Sequence, residues 1–117
     1  MIPLSEFRQI ALSLPGTAEA PHHDILSFTV HKKIFATLNP AEKRCTLKFD
    51  ADYQEIFTTL GKGRIYRVPN AWGKHGWTTV ELQDLNYELL SDAILIAWRC
   101  TAPKKFKKLY PDRYLDD

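Results

Sequence analysis

The chain has 117 residues, of which 44% are apolar and 26% charged, and its formal net charge is +2. This length predicts a single domain over residues 1–117, and the composition excludes a disordered or low-complexity chain. No apolar run reaches the roughly 18 residues needed to cross a bilayer. Because the N-terminus also lacks a secretory signal pattern, the expected compartment is the cytoplasm.

Hydrophobic periodicity predicts three helices and five strands. The first helix has an apolar stripe that begins at Phe7, and it ends at Pro15 because proline cannot continue a helix. Three alternating segments follow as strands with short connections: ILSFTVH, KIFATL and RCTLKF. A second helix begins after Asp50 or Asp52 and ends at Gly61.

The second half of the chain adds two strands and one helix. RIYRV and WTTVEL alternate as strands four and five, and Asn86 is the predicted N-cap of the last helix, whose apolar stripe includes Trp98. The connections are too short for parallel crossovers. The expected fold is therefore α+β, a two-layer, mainly antiparallel five-stranded sheet with three helices on one face, in the order α-β-β-β-α-β-β-α.

The period of the strands assigns their side chains to two faces of the sheet. In WTTVEL, Thr78 and Val80 are predicted to point toward the helices and Trp77 toward the open face. The predicted open face carries Ser27, Thr29, Arg44, Thr46, Lys48 and Trp77. Exposed Trp77 and Phe35 would be apolar anchors for a protein partner on this face.

Two segments concentrate basic residues in this nearly neutral chain. Residues 61–80 contain four Lys or Arg residues and no Asp or Glu. The second segment, KKFKK, forms a basic C-terminal extension from about residue 103. This extension is either a solubilising terminus or a DNA-contacting arm. Trp72 and Trp77 lie in the loop-to-strand segment NAWGKHGWTTVEL, where they either close the end of the sheet or face a ligand. Cations neutralise phosphates and aromatic rings stack on bases. The candidate nucleic-acid-binding residues are Lys62, Arg64, Arg67, Lys74, Trp72, Trp77, Lys104 and Lys105.

The histidines suggest a small-ligand pocket. His22 and His23 in PHHD, with His75 and Lys74 in AWGKHGW, would hold an anion between them. No metal is predicted, because no carboxylate or thiol lies at ligand spacing and no HExxH or paired CxxC occurs. No GxSxG, GxGxxG or phosphate-loop motif is present either, so we predict no catalytic residue and no cofactor.

Four segments carry a family resemblance: ALSLPGTAEAPH, SFTVHKKIFATL, VPNAWGKHGWTTVEL and AWRCTAPKKF. In this order, over about residues 5–108, the sequence resembles the bacterial MmcQ/YjbR family, a domain of unknown function whose members are described as DNA-binding. The resemblance implies α/β layers similar to those of frataxin and secretion chaperones. It also implies a double-wing arrangement of two β-hairpins that grips DNA, and it implies no catalytic or metal-binding residues.

Three functions follow from these patterns, and we rank them in this order. The first is a DNA-binding protein that contacts phosphates through a basic hairpin and loop with aromatic support. The second is a protein-interaction or chaperone-like module that uses the open sheet face, and the third is a binder of a small anionic ligand. The expected partner is DNA or a protein rather than a membrane, and the expected state is a monomer or a weak dimer.

Overall fold

The structure, a computed structural model, describes residues 4–109. In this range the helices are α1 (Leu4–Ser13), α2 (Ala51–Leu60), α3 (Ala71–Lys74), α4 (Tyr87–Thr101) and α5 (Lys104–Lys107). The strands are β1 (Thr17–His22), β2 (Ile25–Val30), β3 (Lys33–Asn39), β4 (Arg44–Lys48), β5 (Ile65–Arg67) and β6 (Trp77–Glu81). They form one sheet in the order β1-β2-β3-β4-β6-β5, and every neighbouring pair is antiparallel. No helix within the described range is long and apolar enough to span a membrane.

The α+β class and the antiparallel sheet are confirmed, but the prediction of five strands and three helices is wrong. The structure has six strands and five helices between residues 4 and 109. The additional strand, β1, has the sequence TAEAPH, which lacks apolar alternation. It pairs only with β2 at the edge of the sheet, where Pro21 is tolerated. The additional helices, α3 and α5, have four residues each, too few to display a helical period.

Helices α1, α2 and α4 cover one face of the sheet. Phe7 of α1 packs against Phe28 of β2, with 5.5 Å between the ring centroids. Phe57 of α2 stacks on Phe49, which follows β4, at 5.0 Å and an interplanar angle of 11°. Trp98 of α4 is fully buried. The apolar residues of the sheet and of these three helices form a continuous core.

The predicted faces hold for β4 and β6 but not for all of β3. Thr78 and Val80 are fully buried, whereas Trp77 is only half-buried. The pairing of β2 with β3 shifts register between Phe28 and Thr29 of β2, so that Phe35 of β3 is an extra residue in a β-bulge, and Phe35 is 0% exposed. The prediction that Phe35 is an exposed anchor is therefore wrong.

Substituting Trp98 tests the core. Its indole ring is buried, and its Nε1 donates a hydrogen bond to the Pro15 carbonyl at 3.0 Å. We expect Trp98→Ala to lower the free energy of unfolding by about 3–5 kcal/mol, as measured by urea denaturation. Trp72→Ala is the matched control, because Trp72 is 63% exposed and should change stability by no more than about 0.5 kcal/mol. Equal losses of unfolding free energy in the two variants would contradict the placement of Trp98 in the core and Trp72 on the surface.

Candidate nucleic-acid interface

The register of the sheet places different charges at its two ends. Lys48 at the end of β4 lies opposite Trp77 at the start of β6, and Lys33 begins the neighbouring strand β3 at this same end. The other end carries His22, Asn39 and the cross-strand pair Arg44–Glu81. Because strands rise about 3.3 Å per residue, the two ends lie roughly 20 Å apart along β3. We call the first the basic end and define it by Lys33, Lys48, Arg67 and Lys74; the second is the opposite end.

A cavity of about 280 Å³ opens at the basic end. Its cationic lining consists of Lys33 from β3, Lys48 from β4 and Lys74 from α3, all of which are exposed. Asp50 is the only carboxylate among its lining residues. The rest of the lining is Phe49, Ala51, Gln54, His75, Gly76, Cys100 and Thr101. Sequence reasoning left Lys33 and Lys48 out of the candidate site, since only the register of the sheet brings these two strand ends beside the loop that carries Lys74.

Two glycines hold this loop against the protein's own backbone. Gly76 has φ +99°, and its carbonyl accepts a hydrogen bond from the Phe49 amide at 3.0 Å. A Cβ atom on Gly76 would lie 1.9 Å from the Phe49 carbonyl oxygen, and one on Gly73 would lie 2.1 Å from that of Val68. Glycine is therefore required at both positions, and Lys74 between them is fixed at the basic end.

Polar side chains complete the support of the loop. The Asn70 side chain caps α3 by accepting a hydrogen bond from the Trp72 amide at 2.8 Å. From the core side, the buried Gln54 amide donates to the Gly73 carbonyl at 3.1 Å and to the Thr78 hydroxyl at 3.0 Å. These bonds tie α2, α3 and β6 together.

Trp72 and Trp77 differ in their surroundings, and neither belongs to the buried core. Trp72 is 63% exposed on α3. Trp77 lies on the open face with the Lys48 ammonium 6.0 Å from its ring centroid, a cation–π arrangement. Trp72 thus does not seal the end of the sheet, and its ring is accessible to a ligand.

The cations predicted on β5 and in the turn before it divide between the two ends of the sheet. Arg67 ends β5 opposite Thr78 and lies at the basic end, where it is exposed. Arg64 lies at the opposite end, because its carbonyl accepts from the Glu81 amide at 2.8 Å, and its Nη1 donates to the Gln83 carbonyl at 3.0 Å. Lys62 precedes Arg64 in the same turn. The eight predicted residues therefore do not form one surface.

The basic segment after α4 packs on the domain as far as residue 109. Phe106 of α5 contacts the His31 ring at 5.0 Å and stacks on Trp98 at 6.3 Å. His31 lies two residues before the start of β3, so α5 presents the exposed side chains of Lys104 and Lys105 at the basic end. The remainder of the predicted extension, residues 110–117, lies outside the described residues.

The three candidate histidines do not share a pocket. His75 lines the cavity at the basic end, whereas His22 ends β1 and His23 begins the turn after it, with their rings 4.9 Å apart. Strand β1, which the sequence did not reveal, runs from the basic end and carries His22 to the opposite end. Within residues 4–109, no three His, Cys, Asp or Glu side chains converge as a metal-binding group.

The two free cysteines differ in burial. Cys45 is fully buried, and this burial strongly raises the pKa of its thiol. Cys100 is only partly buried, and desolvation raises its pKa to about 12. Neither thiol is ionised near neutral pH.

A polar network that sequence reasoning missed occupies the open face near the opposite end. Arg44 Nε donates to both carboxylate oxygens of Glu81, at 3.0 and 2.9 Å, and its Nη1 donates to Glu42 at 3.3 Å. The Tyr66 hydroxyl also donates to Glu81. The hydrogen bond from Tyr66, followed by that from Arg44, lowers the pKa of Glu81, and the same bond to Glu81 raises the pKa of Tyr66.

The fold defines a two-layer α+β domain in which one antiparallel sheet is covered on one face by three helices. A family model described as YjbR matches residues 12–100. The chain therefore belongs to the YjbR family, which confirms the resemblance found in the sequence.

Two solved structures share the fold. The Deinococcus radiodurans protein DR2400, with a domain termed DUF419, is 22% identical, with a TM-score of 0.75 over 93% of this chain and 88% of that one. A Pseudomonas syringae protein is 23% identical, with a TM-score of 0.64 over 86% of this chain and 99% of its own. No curated protein matches the chain significantly.

The lowered pKa of Glu81 predicts a pH-dependent contribution to stability. A carboxyl group whose pKa is lower in the folded than in the unfolded protein stabilises the fold at pH values above its unfolded pKa. This stability is lost as the pH falls through the folded-state pKa. We expect Glu81→Gln to cost about 1 kcal/mol near pH 7 and progressively less in acid, because the stability that the Glu81 carboxylate contributes is lost as the pH falls from its unfolded pKa through its lowered folded pKa. Urea denaturation at neutral and at acidic pH measures the difference. If Glu81→Gln lowers the free energy of unfolding by the same amount at both pH values, the charge of Glu81 is not the source of the stability that the substitution removes.

Proposed function

We propose that the protein binds DNA through its basic end. The observation that supports this proposal is the convergence of Lys33, Lys48 and Lys74 on one cavity. Arg67 and the exposed Trp72 lie on the hairpin and loop beside them. The family resemblance favours the same ligand class.

The three lysines have no carboxylate within salt-bridge distance among residues 4–109. The ion pairs described in this range join Arg8 to Glu19 and Arg44 to Glu42 and Glu81. A group of unpaired cations binds phosphates without first having to break an ion pair, and release of the counterions of DNA favours the complex.

Trp72 supplies the aromatic part of the interface. Its exposed ring lies on the same turn of helix as Lys74, so a phosphate at Lys74 brings the sugars and bases of a strand near the indole. Such rings stack on bases or insert beside them with little sequence preference. The proposal therefore predicts weak sequence specificity.

The open face of the sheet offers different chemistry. Its cation nearest the opposite end, Arg44, is already bonded to Glu81 and Glu42, and the hydroxyl groups of Thr37 and Thr46 bond to each other at 2.6 Å. Phe35, the expected apolar anchor, is buried. We therefore assign the DNA contacts to the basic end, and Lys62 and Arg64 at the opposite end are not included.

Fluorescence anisotropy with a labelled DNA duplex tests this function. Four or five phosphate contacts would give a log–log slope of affinity against salt of roughly −4. Lys33→Glu and Lys74→Glu should weaken binding, and each should reduce the magnitude of the slope by about 1. Lys43→Glu is the matched control, because Lys43 is an exposed lysine in the β3–β4 turn at the opposite end.

Two results would contradict the proposal. One is the absence of binding at low salt by protein whose thermal melt shows that it is folded. The other is an equal loss of affinity in the Lys43→Glu control, which would mean that net charge rather than the basic end determines binding.

A further inference from the structure

The cavity at the basic end has the charge and the shape of a site for a single phosphate group. We propose that it binds a phosphate monoester dianion, with the terminal phosphate of a DNA strand as the carrier that the proposed function suggests. This inference rests on the proposed function for its carrier, but the phosphate chemistry comes from the cavity itself.

The charge of the lining matches a dianion. The lining contains three ammonium groups, those of Lys33, Lys48 and Lys74, and one carboxylate, that of Asp50, so these four groups carry a net charge of +2. A monoester phosphate carries a charge of about −2 near neutral pH, whereas each internal phosphodiester of a strand carries −1. The dianion therefore neutralises the site more completely.

The shape of the cavity favours a chain end over a continuous strand. Residues of β3, β4, α2, α3 and α4 all line it, so it is a recess where five elements meet rather than a groove along one surface. Ala51 at the start of α2 and Cys100 and Thr101 at the end of α4 line it together with the strand ends. A monoester enters such a recess with one substituent directed outward, whereas a diester has to leave on two sides.

Backbone donors supplement the lysines. The ten-residue helix α2 begins at the cavity, and its N-cap residue, Asp50, makes no side-chain capping bond. The first-turn amides of a helix have no intrahelical acceptor and carry partial positive charge. Ala51 brings this first turn into the lining. The lysines supply the charge of the site, and the helix start adds to the positive potential that they produce.

The backbone that carries Lys74 and the side chain of Lys48 both have supporting contacts before a ligand arrives. Lys74 lies between Gly73 and Gly76, whose backbones pack directly against Val68 and Phe49. Lys48 is aligned with the ring of Trp77. Groups that are already positioned lose less conformational entropy on binding, which increases the affinity available from a small anion.

The test compares two single-stranded oligonucleotides of one sequence, labelled at the 3′ end and carrying either a 5′-phosphate or a 5′-hydroxyl. Anisotropy titrations should show that the phosphorylated strand binds about tenfold more tightly, as charge-assisted hydrogen bonds to one phosphate would provide. Lys48→Gln and Lys74→Gln should abolish this ratio, and Lys43→Gln should preserve it. The ratio is insensitive to a general loss of DNA affinity, and thermal melts establish that each variant is folded.

Inorganic phosphate is the second probe, and it separates the two possible sources of the anion. Broadening of its ³¹P resonance by the wild-type protein, and not by Lys74→Gln, would support the phosphate site. If this broadening occurs but no oligonucleotide binds, the ligand is a small phosphate compound and the proposed DNA function fails. DNA binding with equal affinity for the two strands, and no broadening of the phosphate resonance, would overturn the phosphate site while leaving the proposed function intact.

Discussion

The hydrogen bond from the Phe49 amide to the Gly76 carbonyl joins the end of β4 to the loop that precedes β6. The two backbones approach so closely that a side chain on Gly76 would overlap the Phe49 carbonyl. This contact sets the position of α3, and the buried Gln54 secures it from the core side. Internal packing therefore explains the glycines around Lys74. The same close packing places Lys74 beside Lys33 and Lys48 at the ends of β3 and β4.

The direction of each strand determines at which end of the sheet its charged residues lie. At the opposite end, Arg44 is engaged by Glu81 and Glu42, so that opposite charges compensate each other across neighbouring strands. At the basic end, Lys33 and Lys48 have no carboxylate within salt-bridge distance among residues 4–109. A net charge of +2 for the whole chain conceals this separation. The local field at one end is consequently much stronger than the total charge would indicate.

Much of the fold follows from periodicity alone, whereas the site does not. The three longer helices and five of the six strands show clear apolar patterns, and the faces of β4 and β6 follow from simple alternation. Strand β1 was missed because Pro21 and small residues replace that pattern, and the bulge that buries Phe35 leaves no local sequence signal. The site depends on which strand ends meet. Without the register, Lys33 could not be placed beside Lys74, and His22 could not be separated from His75.

The three tryptophans lie at three different depths in the molecule. Trp98 is enclosed, Trp77 is half-covered beside a cation, and Trp72 projects from the surface. Indole emission shifts with the polarity of its surroundings, so the chain carries its own optical probes of three separate environments. Events in the helix layer, on the open face and at the tip of the loop can thus be distinguished in the unlabelled protein by which tryptophan responds.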